Sequence, residues 1–121
     1  MIKKEDILRL NDEINNTANL VIAYKNGEIY LPWSNVEYEV NKVIKKYDEI
    51  RSSFLLNPGY MAAIKEMYLN IDFIINLAQN PNRTMNKYAV QCWRNGTPSP
   101  MCHLYAYKIS REKLNYIIDN N

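Results

Sequence analysis

Apolar residues first recur at helical spacing at Ile7, Leu10 and Ile14, with Glu5 and Asp6 in the opening turn, where the helix dipole favours negative charge. This predicts a helix from Lys4 to about Ile14, stopped by Asn15, Asn16 and Thr17. The pattern then shortens to two β-rich runs, Asn19 to Tyr24 and Glu28 to Leu31, joined by Lys25, Asn26 and Gly27. Asn-Gly supplies the positive φ angles of a tight turn, so these runs are expected to form a β-hairpin. Ser34 and Glu37 have capping-box spacing and precede an apolar face of Val36, Val40, Val43, Ile44, Tyr47, Ile50 and Phe54, the signature of a long amphipathic helix. Asn57 and Pro58 then suit the cap and first turn of a second long helix reaching about Gln79. Its inward face reads as Ile64, Met67, Tyr68, Ile71, Ile74, Ile75 and Ala78, with Asn70, Phe73, Asn76 and Asn80 on a mostly polar side.

Two further period-two runs, Lys87 to Trp93 and Met101 to Ile109, flank a loop containing Asn95-Gly96, which predicts a second hairpin. Ser110 then caps a last helix to Ile118. The expected fold is α+β, in the order αββααββα, with antiparallel hairpins packed on helices in one domain spanning 1–121.

Composition narrows the class: 47% apolar and 23% charged residues with a net charge of +2 describe a globular chain rather than a disordered one. The apolar runs Leu20 to Ala23 and Phe73 to Ile75 are far shorter than the roughly 18 residues of a membrane span. No apolar region follows the basic N-terminus, so a cytoplasmic location is expected, with no membrane partner. Cys92 and Cys102 are too few for a disulfide framework and lack metal-site spacing; two reduced core cysteines are expected, with a cross-strand disulfide as the alternative. No cofactor fingerprint, phosphate loop or paired catalytic carboxylates occur, and His103 lacks an orienting partner in any motif; this favours a binding protein over an enzyme.

Charge is uneven along the chain. Arg83, Lys87, Arg94, Lys108, Arg111 and Lys113 fall in one stretch opposed by Glu112, interleaved with Tyr88, Trp93, Tyr105 and Tyr107. Arginine beside aromatic rings suits phosphate pairing with base stacking, while surface solubilisation explains the same residues without a ligand. Arg111, in a first helical turn, is an anion-clamp candidate, or else a salt-bridge partner of Glu112 or of a neighbour's Asp119. Arg94 sits on a loop from which it could close over a ligand. Phe73 and Asn76, three apart on one helix face, could stack on a base and read its edge, or pack against another element. The candidate ligand-binding set is therefore Phe73, Asn76, Trp93, Arg94 and Arg111, with no catalytic or metal-binding residue.

In length, in its Asn-, Ile- and Lys-rich composition, and in Arg94 and Arg111 of its C-terminal hairpin and helix, the chain resembles the phage-encoded Thoeris anti-defence proteins, sponges for cyclic ADP-ribose signals. The resemblance implies a non-enzymatic homo-oligomer that binds a cyclic signalling nucleotide intact. The rival expectations are a protein-protein inhibitor of a bacterial defence complex such as a CRISPR nuclease, and a nucleic-acid-binding protein whose affinity falls steeply with salt.

Overall fold

The computed structural model describes residues 2–53, 56–79, 94 and 108–121, and among them the chain is helical, with no strand. Helix α1 spans Lys4–Lys25, α2 Trp33–Arg51, α3 Pro58–Gln79 and α4 Arg111–Asp119. The α+β expectation and its αββααββα order are overturned.

The first hairpin fails because α1 does not stop at Asn15. Its apolar stripe continues through Ala18, Val21 and Ile22, all buried, so the run from Asn19 to Tyr24 is the last turns of a helix. Asn and β-branched residues cost well under about 1 kcal/mol each in a helix, and burial outweighs that. Asn26-Gly27 does form a turn needing positive φ, with Gly27 at +69°, but the turn ends a helix. The Gly27 N–H donates to the Tyr24 carbonyl at 3.1 Å and the Glu28 N–H to that of Ala23 at 2.9 Å, the paired bonds of a Schellman motif.

The remaining helix ends are mixed. Asn57 caps α3, its Oδ1 accepting from the Tyr60 N–H at 2.8 Å, and the Ser110 hydroxyl accepts from the Lys113 N–H at 3.1 Å at the start of α4. The expected Ser34–Glu37 box is not what starts α2: the helix begins two residues earlier, at Trp33 after Pro32, with no side-chain cap. Of the second hairpin, Arg94, Lys108 and Ile109 are described and none is in a strand, while Trp93, Cys92, Cys102 and His103 lie outside the described residues.

α2 and α4 each pack against both α1 and α3. One core joins Ile7, Leu10 and Ile14 of α1, Val36 to Tyr47 of α2, Ile64 to Leu77 of α3, and Ile109, Leu114 and Ile118. Because α3 is covered by three helices, more of its circumference is buried than one amphipathic stripe provides. Asn70 and Phe73 turn inward, and Tyr68, expected inside, is 51% exposed. Just before α4, the Ile109 carbonyl ties the chain to α1, accepting from the amides of Asn11 at 3.1 Å and Asn15 at 3.0 Å. No described helix is long and apolar enough to cross a membrane.

Candidate functional site

The five residues singled out from sequence do not assemble into one site. Phe73 is a buried core residue and offers no stacking face to solvent. Asn76 is exposed, its amide donating to the Asp72 carbonyl one turn back at 2.9 Å. Trp93 lies outside the described residues. Arg94 pairs with both carboxylate oxygens of Glu28, at 2.9 and 2.7 Å, beyond the end of α1.

Arg111 reaches back to the first half of α1, donating from Nε to Asp12 at 2.9 Å and from Nη2 to Glu5 at 2.8 Å. Neither Glu112 nor Asp119 is its partner; Asp119 instead holds Lys4 at 2.9 Å. The hydrogen bonds it donates, to Glu5 first and then to Asp12, push the Arg111 pKa above its ordinary value. Two carboxylates around one guanidinium leave a net negative charge, which disfavours phosphate there. At about 1.5 Å per residue, the helix from Asp12 to Lys25 also separates the anchors of Arg111 and Arg94 by roughly 20 Å, too far for a joint grip on one phosphate.

A different set of side chains converges between the C-terminal end of α2 and the first half of α3. Tyr47, Arg51, Ser53, Leu56, Met61, Ile64, Lys65 and Tyr68 line a cleft of about 510 Å³. That lies within the roughly 300–1,000 Å³ of small-molecule sites. Helical spacing builds both walls. Tyr47 and Arg51 are four apart on α2, and the Arg51 guanidinium lies 5.9 Å from the Tyr47 ring centroid, within cation–π range. Met61, Lys65 and Tyr68 recur at four and three residues on α3, leaving Met61 49% and Tyr68 51% exposed beside the cleft.

Tyr47 is the buried end of the site. Its hydroxyl donates to the Ile64 carbonyl at 3.2 Å, bridging α2 and α3. Burial, the largest influence, pushes its pKa up, with Asp48 and Tyr68 acting in the same direction and Arg51 opposing them. The phenol therefore stays neutral near pH 7. At the rim, Arg51 Nη2 lies 3.4 Å from Asp48, while Lys65 has no ion pair among the described residues. Sequence reasoning passed over this site because Tyr68 was assigned to the core and Arg51 was not singled out. The available signal was the Tyr47–Arg51 spacing just before a chain break.

Smaller depressions also occur among the described residues. One, of about 280 Å³, contains Asp6, Arg9, Glu13, Lys46 and Glu49, with Lys46 and Glu13 paired at 2.8 Å. Another, of about 210 Å³, lies beside Trp33, whose ring packs at 5.2 Å from Tyr24 and under the Lys25 ammonium at 5.7 Å. No family model matches the chain, and neither a curated protein nor a solved structure matches it. The cleft between α2 and α3 in a helical fold is thus the feature from which function must be argued.

Proposed function

We propose that this chain is a non-enzymatic binding protein that captures a small anionic ligand in the α2–α3 cleft. One observation carries the reading: two cations, Arg51 and Lys65, stand at the mouth of a cleft whose walls are Tyr47, Leu56, Met61, Ile64 and Tyr68. An apolar body can leave water against those walls while its charge stays at the rim. The non-enzymatic part draws on the lining, which contains no carboxylate, imidazole or thiol among the described residues and whose buried phenol is held neutral. The anti-defence role expected from sequence would require one particular anion of this kind, a phosphorylated signalling nucleotide of the cyclic ADP-ribose type, sequestered without being cleaved. The phosphate contacts then pass from Arg94 and Arg111 to Arg51 and Lys65.

A thermal-shift screen against cyclic ADP-ribose isomers, cyclic di- and trinucleotides and simple organic anions tests this. A ligand at about 100 times its Kd adds roughly 2.7 kcal/mol, several degrees for a domain of this size. The Arg51→Ala/Lys65→Ala variant should lose the shift and the Arg94→Ala/Arg111→Ala variant should keep it. The opposite result would return the site to the C-terminal arginines. No shift with any compound would move the reading to a protein partner or a second copy of the chain, for which Tyr30, Leu31 and Tyr38, at 98%, 42% and 66% exposure, are the available surface.

A further inference from the structure

We infer that the ligand of the α2–α3 cleft is a free single-headed amphiphile, a medium-chain acyl carboxylate, rather than a nucleotide. The inference rests on the cleft assignment above and follows from how polar atoms are distributed within it. The less exposed part of the lining is Leu56 and Ile64 with the ring of Tyr47 and Ser53, while Met61 stands nearer the rim. Of the polar groups there, the Tyr47 hydroxyl is spent on the Ile64 carbonyl at 3.2 Å, and Ser53 is engaged as well. A nucleobase brings several edge donors and acceptors, and each one buried there without a partner weakens binding by roughly tenfold or more. A methylene chain makes no such demand, and every CH₂ removed from water tightens binding by about fourfold.

The charge at the mouth points the same way. Arg51 and Lys65 supply two positive charges, and Asp48, 3.4 Å from Arg51, offsets one of them. The remainder matches one carboxylate, whereas the linked phosphates of a cyclic dinucleotide or of cyclic ADP-ribose carry at least two charges. Met61 and Tyr68, each about half exposed, give the chain an apolar route from the rim to the floor.

Isothermal titration calorimetry on the full chain, with straight-chain carboxylates from butyrate to laurate kept below their micelle concentrations, tests the inference. Affinity should rise about fourfold per methylene and level off once the cleft is filled. The corresponding primary alcohols should bind at least tenfold more weakly. Met61→Glu, which puts a carboxylate on the chain's route at a position already 49% exposed, should reduce carboxylate binding by tenfold or more, and Met61→Leu should preserve it. Unaltered far-ultraviolet circular dichroism would establish that Met61→Glu is folded.

Affinity independent of chain length, or alcohols binding as well as carboxylates, would overturn the inference. Nucleotides binding in an Arg51- and Lys65-dependent manner, with carboxylates inert, would overturn it and leave the proposed function standing. If neither class binds, both fall. Co-flotation with vesicles of phosphatidylcholine and phosphatidylserine, without a carboxylate response, would make the occupant a membrane lipid and equally overturn it.

Discussion

Gly59 stands in the first turn of α3, and its replacement by alanine tests how α4 is seated. An alanine in a helix is ordinarily better than glycine by about 1 kcal/mol, less so near the end, so propensity alone predicts a more stable protein. The packing predicts the reverse. A Cβ at Gly59 would lie 2.5 Å from the carbonyl oxygen of Ile118 and 3.3 Å from its carbon, where ordinary contact begins near 3.4 Å. The obstacle is the backbone of α4, which cannot rotate aside as a side chain would. To clear it, α4 must move by nearly 1 Å while Leu114 and Ile118, 0% and 9% exposed, are its grip on the core. Displacements of this kind cost about 1–3 kcal/mol, so Gly59→Ala should be net destabilising, by about 1–2 kcal/mol after the propensity gain. Urea unfolding should show a lower midpoint at unchanged slope. Native-state hydrogen exchange should find the amides of α4 less protected than those of α1. A midpoint equal to or above that of the parent chain would refute the contact between the N-terminal turn of α3 and the end of α4.

The remaining stability predictions concern buried polar groups. Asn70 is 0% exposed, with neither its Oδ1 nor its Nδ2 hydrogen-bonded among the described residues, so Asn70→Leu, similar in shape and free of that desolvation cost, should stabilise the protein by about 1–3 kcal/mol in urea unfolding; a loss would mean that the amide is satisfied in solution. Tyr47→Phe removes the hydrogen bond to the Ile64 carbonyl and should cost about 0.5–1.5 kcal/mol at pH 7. Because the folded pKa of Tyr47 is raised above 10, its contribution is complete below the unfolded value and declines as pH rises through the folded one; the difference between parent and Tyr47→Phe should shrink in unfolding measured above pH 10. A difference that widens with pH would contradict the burial of the phenol.

α2, α3 and α4 were legible as helices because their signals agree with one another. Val36, Val40, Val43 and Tyr47 keep one face inward, and the Asn57 and Ser110 caps make the bonds that their residue types predict. The second half of α1 was not legible, for a physical reason. Leu20 to Ala23 is a continuous apolar run, compatible with a strand or with a helix covered on more than one side, and α1 is covered by three others. Asn-Gly then tipped the reading towards a hairpin, although a Schellman ending needs the same left-handed residue. What separates the two is the register of Ile14, Ala18, Val21 and Ile22, a helical continuation of the stripe that starts at Ile7.

The misplaced ligand site has a different origin. A run of cations in sequence says nothing about what faces it in the fold, and the slightly acidic first sixty residues, visible in the sequence, give no sign that they fold against it. Arg111 finds Glu5 and Asp12, Arg94 finds Glu28, and Lys113 finds Glu66 at 3.4 Å. Charge asymmetry between two ends of a small chain therefore admits two outcomes: a surface that recruits an anion from solution, or two surfaces that close on each other. Exposed pairs add little to stability, but they do neutralise. Once Arg94, Arg111 and Lys113 have met their acids, the described cations that still matter for binding are those whose counter-charge falls short and whose neighbours are apolar. Arg51, shared with Asp48 at 3.4 Å, and Lys65 satisfy both conditions at the mouth of the same cleft, and it is this coincidence of incomplete neutralisation with an apolar floor that sequence-local charge counting cannot detect.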